Sequence, residues 1–83
     1  MKLQVRYFAS LREALGPTEV IDAPAGSTLA KLRDQLIERS SAHAAALARG
    51  RALRCALNQT LSDEAAVIPE GAEVAFFPPV TGG

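Results

Sequence analysis

Residues 73–83 read EVAFFPPVTGG, and no other stretch of the chain says as much about its fold. Polar and apolar positions alternate from Glu73 to Phe77, which predicts a half-buried β-strand. Pro78 and Pro79 end that strand, because proline has no N–H to donate to a neighbouring strand. Two prolines also favour polyproline II geometry, which directs the following residues away from the body of the protein. We therefore expect a folded domain over residues 1–77.

The remaining residues, 78–83, are expected to form an extended tail. It continues with the β-branched pair Val80 and Thr81 and ends in Gly82 and Gly83. Glycine has no Cβ, so such an end can enter a narrow channel and leaves a terminal carboxylate accessible to an activated phosphate or a nucleophile. Six residues at roughly 3.3–3.6 Å each would reach about 20 Å. The alternative is an ordinary frayed terminus, but the order of residue types favours a tail that works through its carboxylate.

The composition favours one small globular domain. Apolar residues make up 48% of the 83 residues and the formal net charge is zero, so the chain lacks the basic footprint of a nucleic-acid-binding protein. The start of the chain alternates polar and apolar residues and lacks the apolar core of a signal peptide, and no stretch is long enough to span a bilayer. We expect a cytoplasmic protein with no membrane partner.

Periodicity and capping signals predict an α+β domain, with a mixed sheet packed against one main helix. The predicted elements are a strand over 2–8, a short helix opened by a capping box at Ser10–Glu13 and closed by Gly16-Pro17, a strand over 18–22, the main helix over about 28–40 capped by Ser27 or Thr28, a helical piece over 42–49 capped by Ser41, a strand over 53–57, a turn-rich segment over 58–63 and a last strand over 73–77.

Few residues of the domain suggest an internal active site. His43, the only histidine, has no acidic sequence neighbour, and we interpret it as a surface or packing residue. Cys55 alternates with apolar neighbours and is expected to be a buried thiol; a single cysteine also excludes a disulfide framework or a multi-cysteine metal site. Acidic Asp63-Glu64, the basic cluster at residues 49–54 and the charged side chains of the main helix, Arg33 included, are expected to be solvated. We expect no metal.

The aromatic residues provide a better functional signal. If the apolar positions of the first strand face the helix, Phe8 points to the opposite face, and the same alternation places Phe77 outward on the last strand. If these strands are neighbours, both side chains form an exposed apolar patch at the base of the tail, as expected of a partner-binding surface. The alternative is that one or both are covered by a loop such as Leu61-Ser62.

Residues 75–83, AFFPPVTGG, resemble the ending of the small subunit of molybdopterin synthase, the MoaD-type sulfur carriers. Residues 8–12, FASLR, residues 57–61, LNQTL, and residues 69–74, PEGAEV, resemble other segments of that family. The resemblance covers the whole chain and is weakest in the middle, over residues 40–51. It implies a ubiquitin-like β-grasp fold, with the first and last strands side by side in the middle of the sheet, and a flexible C-terminal tail.

The resemblance also implies a function as a non-catalytic sulfur-donor subunit. An adenylyltransferase related to ubiquitin-activating enzymes would join AMP to the carboxylate of Gly83, which follows Gly82, and a sulfur donor would convert the adenylate to a thiocarboxylate. No cofactor would be bound, and the activating partner would consume ATP. Phe8, Leu61 and Phe77 would contact the large subunit of molybdopterin synthase, in a heterotetramer, where sulfur is delivered to a pterin precursor.

Three other functions share some of these sequence features. A sulfur carrier for thiazole synthesis or transfer-RNA thiolation would have the same Gly-Gly ending. A ubiquitin-like protein modifier would instead form an isopeptide bond between Gly83 and a lysine. A plain interaction domain would have a tail with no chemical role.

Overall fold

The computed structural model describes residues 1–79 of the chain. These residues form eight elements: β1 (Lys2–Tyr7), α1 (Ser10–Leu15), β2 (Thr18–Asp22), α2 (Leu29–Ile37), α3 (Ser41–Ala46), β3 (Arg54–Leu57), β4 (Thr60–Ser62) and β5 (Glu73–Phe77). The strands make one sheet in the order β2-β1-β5-β3-β4. The central pair β1 and β5 is parallel and the other pairs are antiparallel. The mixed α+β sheet and the central position of the first and last strands are confirmed.

The hydrophobic core lies on one face of the sheet. The alternation of side chains along each strand determines which residues belong to this core. In β5, Val74 and Phe76 are buried, whereas the residues between and beside them are only half-buried. Leu3, Val5 and Tyr7 of β1 are buried in the same cluster. The apolar stripe of α2 completes this cluster through Leu29, Leu32 and Leu36. The predicted inward faces of both strands and of the main helix are confirmed.

The helix ends follow local hydrogen bonds, and two capping predictions are wrong. Thr28 caps α2, as expected, since its side chain accepts from the Lys31 N–H at 3.2 Å. The capping box at Ser10 does not form: Ala9, with φ 53°, precedes α1 and makes no side-chain cap bond. Ser40, rather than Ser41, caps α3, and α2 ends at Ile37 instead of near residue 40. No helix within residues 1–79 has both the length and the apolarity needed to cross a membrane.

The segment predicted to be only turn-rich contains the short edge strand β4. Asn58 and Gln59 have φ values of 47° and 70°, and they connect Leu57 of β3 to its partner Thr60 of β4. Two consecutive positive φ values are what a type I′ hairpin turn requires, and such a turn lets the chain pair with the strand it has just left. The turn is fixed to the sheet because the Asn58 side-chain oxygen accepts from the Glu73 N–H at 3.0 Å. This hairpin places Leu61 in the sheet.

A charged network holds the segment that follows β4, and here the expectation of solvated side chains is wrong. Arg33 is only 3% exposed and donates to the carbonyl oxygens of Leu47 (2.8 Å) and Arg51 (3.0 Å). It also binds the Glu64 carboxylate at 2.8 Å. Arg49 binds the same carboxylate from the solvent side. Glu64 is thus held by two guanidinium groups, and the chain between β4 and β5 is tied to α2.

Candidate partner-binding face

The second face of the sheet carries the candidate site, since the described residues leave much of it exposed. Phe8, which follows β1, is 39% exposed and Leu61 of β4 is 63% exposed. Phe77 ends β5 half-buried, directly opposite Arg54 of β3. The predicted outward orientation of Phe8 is confirmed. Leu61 does not fold over the aromatic rings as a covering loop; it occupies a strand position in register with Ala56.

Strand register brings the three predicted contact residues around a single recess. Ala75 of β5 pairs with Ala56 of β3, and Ala56 pairs with Leu61 of β4. The recess has a volume of about 370 Å³, and Phe8, Leu61 and Phe77 all line it. Residues from β1, β4 and β5 thus share one cavity although they are far apart in the sequence.

Charged side chains occupy one edge of this recess. The guanidinium carbon of Arg6 lies 5.3 Å from the centre of the Phe8 ring, within the range of a cation–π contact. The same guanidinium group lies 3.7 Å from the Glu73 carboxylate. Arg6 and Glu73 are both partly exposed, so this ion pair is screened by solvent and contributes little stability. Arg6 therefore covers one side of the Phe8 ring without being held firmly.

The described part of the tail starts next to this face. Pro78 and Pro79 follow β5 outside any strand, as expected of residues that cannot donate to the ladder. Val80, Thr81, Gly82 and Gly83 lie outside the described residues, so their predicted role as a carboxylate-bearing tail remains a prediction. The interface role of Phe8, Leu61 and Phe77 likewise remains a prediction, although the geometry is compatible with it.

His43 has an acidic neighbour that its sequence position does not reveal. Its Nε2 atom lies 2.7 Å from the Glu19 carboxylate, and the Tyr7 hydroxyl donates to the same oxygen at 2.7 Å. Burial by itself would raise the pKa of Glu19. The hydrogen bonds from Tyr7 and His43 and the nearby charges of His43 and Arg39 lower it by more, so the pKa of Glu19 lies below its ordinary value. Burial also raises the pKa of Tyr7 far above its usual range, with the Glu19 carboxylate adding to the effect. This cluster joins β1, β2 and α3 and is consistent with a packing role for His43.

Cys55 is buried, as predicted. It is 4% exposed, and its thiol donates to the Ser62 carbonyl oxygen at 3.2 Å. Burial raises its pKa, which lowers the thiolate fraction at neutral pH and makes it a poor nucleophile. Among residues 1–79 there is no group of three His, Cys, Asp or Glu side chains that could hold a metal ion.

Five residues that line the recess were not predicted as site residues: Arg6, Ala56, Gln59, Glu73 and Ala75. Alternation alone places Arg6 and Ala75 on the outward face, but it does not indicate which strands are neighbours or in which register. The register of β3 and β5 is what brings Ala56 and Ala75 together. A sequence signal was present, since small residues at outward strand positions leave room for a partner, but it was not specific.

A mixed five-stranded sheet of this order, with a parallel central pair and one main helix, defines the ubiquitin-like β-grasp class of proteins. The sequence model of the ThiS family matches residues 5–83. The chain belongs to the ThiS family. Because that match extends over nearly the whole chain, it includes the four residues that the structure does not describe.

Relatives with assigned names agree with this membership. The molybdopterin synthase sulfur carrier subunit of Escherichia coli is 41% identical over 81 residues, covering 98% of this chain and 99% of the relative. In a solved complex of subunits 1 and 2 of the molybdopterin-converting factor from Helicobacter pylori, one chain matches with a TM-score of 0.68 and 28% identity, with full coverage of both chains. Small archaeal modifier protein 1 of Haloferax volcanii matches with a TM-score of 0.76 and 25% identity, covering 95% of this chain and 98% of that one.

Proposed function

We propose that this chain is the sulfur carrier subunit of a molybdopterin synthase and that it carries sulfur as a thiocarboxylate on Gly83. The observation that carries the proposal is the outward apolar face of Phe8, Leu61 and Phe77 at the root of a Pro-Pro tail. The full-length similarity to the sulfur carrier subunit of Escherichia coli supports the same function.

The proposed cycle changes only the terminal carboxyl group. The Gly83 carboxylate attacks the α-phosphorus of ATP, pyrophosphate leaves, and an acyl-adenylate forms. A sulfur donor supplies hydrosulfide, whose sulfur attacks the acyl carbon; AMP leaves with the bonding electrons, and a proton is released. The product is a thiocarboxylate, whose sulfur is ionised at neutral pH and serves as a soft nucleophile toward a pterin precursor. Two such deliveries complete the dithiolene of molybdopterin.

Within the described residues, we identify no side chain of this chain that would act as a catalytic acid or base in the proposed cycle. Its one histidine is engaged with Glu19 and its one cysteine is buried, so neither is placed to act on a substrate at the tail. The adenylating enzyme and the large subunit would supply the acids and bases. This chain would supply a tethered nucleophile, and tethering can lower a barrier by several kcal/mol by converting an encounter into a positioned reaction.

The proposed partners use the same face of the sheet. The large subunit would bind Phe8, Leu61 and Phe77 and receive the tail, in a heterotetramer. The adenylyltransferase, related to ubiquitin-activating enzymes, must also hold the base of the tail to reach Gly83. The two partners therefore compete for one surface. Because the cycle consumes ATP, we place the protein in the cytoplasm.

Mass spectrometry of the C-terminal peptide tests the proposal. The protein is incubated with ATP, a sulfide source and the host adenylyltransferase, and it is then cleaved after Glu73 to release the peptide that ends in Gly83. This peptide excludes Met1 and Cys55, so oxidation there cannot imitate the added mass. Replacement of one carboxyl oxygen by sulfur is the expected result.

A variant without Gly83 provides the control, since its new terminus should remain a carboxylate. An unchanged Gly83 carboxylate, with an adenylyltransferase that is active on another carrier, contradicts the proposal. A thiocarboxylate that forms but does not support molybdopterin synthesis with the large subunit redirects the function to thiazole synthesis or transfer-RNA thiolation.

A second candidate function is protein modification, and one observation favours it. Small archaeal modifier protein 1 has the same fold at 25% identity. In this function the Gly83 carboxyl group, once adenylated, would be attacked by a lysine amine, with AMP as the leaving group and an isopeptide bond as the product. Conjugates of higher mass in extracts of the host, absent when Gly83 is deleted, would support the modifier function.

A further inference from the structure

Two alanine side chains form a depression at the centre of the outward face of the sheet. Ala75 of β5 and Ala56 of β3 are direct cross-strand partners. Neighbouring strands are about 4.8 Å apart, so the two methyl groups form one continuous floor. Ala56 is only 7% exposed although it faces this open side of the sheet. The surrounding side chains therefore rise above it.

The walls of the recess come from the same cross-strand row and from the rows on either side. Arg6 pairs with Ala75 on one flank, and Leu61 pairs with Ala56 on the other. Along β5, Phe77 and Glu73 lie two residues from Ala75 in opposite directions and share its face. These residues line a cavity of about 370 Å³ that is open toward solvent.

The lining chemistry identifies the kind of occupant. The floor and the walls at Leu61 and Phe77 are apolar, and the cavity is at the small end of the roughly 300–1,000 Å³ range of small-molecule sites. A cofactor site would have several converging polar groups, whereas here Arg6 and Glu73 are paired with each other and Gln59 is the other polar lining residue. A large apolar side chain of a protein partner fits within this volume and matches the polarity of the floor.

The charged side chains near the recess indicate a second property of the partner. Arg6 and Glu73 lie 3.7 Å apart on the same edge of the recess and compensate each other's charge. Arg54, opposite Phe77, is exposed and forms no ion pair with any residue of the range 1–79. It leaves a positive charge opposite Phe77, outside the lining of the recess itself, and this charge favours an acidic group on the partner.

We propose that the Ala56–Ala75 recess receives one large apolar side chain of the synthase large subunit, next to an acidic side chain of that subunit which binds Arg54. This inference rests on the proposed function for the identity of the partner. It adds that the two alanines determine how deeply the partner is anchored. The recess is continuous with the predicted contact residues Phe8, Leu61 and Phe77, so one partner segment covers them together.

Filling the recess tests the inference. Ala75→Leu and Ala56→Leu add bulk to the floor, and calorimetric titration with the purified large subunit measures the effect on Kd. We expect at least a tenfold loss of affinity for each. Ala45→Leu makes the same change at an exposed position of α3, away from this face, and should leave Kd unchanged. Thermal unfolding of every variant checks that the fold is retained.

Arg54→Glu tests the proposed ion pair between Arg54 and an acidic side chain of the partner, without enlarging any side chain that lines the recess. We expect at least a tenfold loss of affinity that shrinks as salt concentration rises, whereas Arg54→Lys should retain most of the affinity. Because Arg54 is exposed, this pair of variants keeps the inference testable even if an alanine variant fails to fold. Equal affinity for Arg54→Glu and the wild-type chain overturns the acidic-partner assignment.

The outcomes separate this inference from the proposed function. If the wild-type chain does not bind the large subunit, the proposed function itself fails. If the wild-type chain binds and both recess variants bind equally well, only the recess inference is overturned. Sedimentation equilibrium of the free chain tests the remaining occupant: a wild-type dimer that Ala75→Leu converts to a monomer would assign the recess to a second copy and overturn the inference.

Discussion

The backbone N–H of Phe8 donates a hydrogen bond to the carbonyl oxygen of Phe76 at 3.2 Å. This bond extends the parallel pairing of β1 and β5 one residue beyond Tyr7, which pairs with Phe76. The exposed ring of Phe8 is thereby fixed beside the strand residue that precedes Phe77 and the tail. A partner that holds Phe8 therefore also determines where the tail begins.

Replacing Phe77 by aspartate is expected to weaken binding of the large subunit at least about 30-fold while preserving the fold. The outward ring is a candidate interface anchor, and loss of such an anchor costs about 2 kcal/mol or more, roughly a 30-fold change in Kd. Titration calorimetry measures the affinity and circular dichroism measures the fold. Val67→Asp, at an exposed apolar position outside this face, is the matched control. Unfolding of the Phe77 variant would show that its side chain supports the core instead.

Removing the guanidinium group of Arg33 should destabilise the domain strongly. Arg33→Met leaves the carbonyl oxygens of Leu47 and Arg51 and part of the Glu64 carboxylate without their buried donor. Each unsatisfied buried group costs about 1–3 kcal/mol, so we expect a loss of several kcal/mol in the free energy of unfolding. Urea denaturation measures it.

The matched control for Arg33 is Lys31→Met on the same helix, where the side chain is exposed and the effect should stay within about 0.5 kcal/mol. A comparable loss in both variants would mean that the buried network contributes nothing specific.

Stability should fall in acid partly because of Glu19. Its pKa in the folded protein lies below its ordinary value of 4.5, so the folded state favours the carboxylate. The stabilisation is therefore fully present above about pH 5.5 and is lost as the pH falls through 4.5 and below. Glu19→Gln should remove this part of the acid dependence. The check is the free energy of unfolding in urea at pH 7 and at pH 3.5 for both proteins; an identical change in the two would exclude a contribution from Glu19.

Cys55 should resist alkylation in the native protein. Its thiol is buried, and burial raises its pKa, so iodoacetamide can react with it only when the structure opens locally or globally. We expect labelling in buffer to be at least about 100-fold slower than in concentrated urea, in line with free energies of opening above a few kcal/mol. Mass spectrometry follows the reaction. Fast native labelling would place the thiol at the surface and reopen its assignment as a core residue.

Local sequence patterns were sufficient for most of the fold. The alternation of β1 and β5 and the apolar stripe of α2 depend on the geometry of single elements, so they could be predicted without knowing the neighbours. The hairpin at Asn58 and Gln59 was missed because only Asn58 is a residue that favours a type I′ turn; Gln59 occupies the second turn position, where glycine is usual. The burial of Arg33 was missed because most of its partners are backbone carbonyl groups, which no side-chain pattern reveals, and because its acidic partner Glu64 is distant in the sequence.

The sequence by itself determined which apolar residues of β1, β5 and α2 face the core, where the last strand stops before Pro78, and that two glycines follow at residues 82 and 83. These properties follow from side-chain periodicity and from the backbone chemistry of proline and glycine. Only the tertiary structure decided that Ala56 lies beside Ala75. That contact depends on strand order and register, because it joins residues distant in the chain, and a shift of one residue would turn either methyl group to the opposite face.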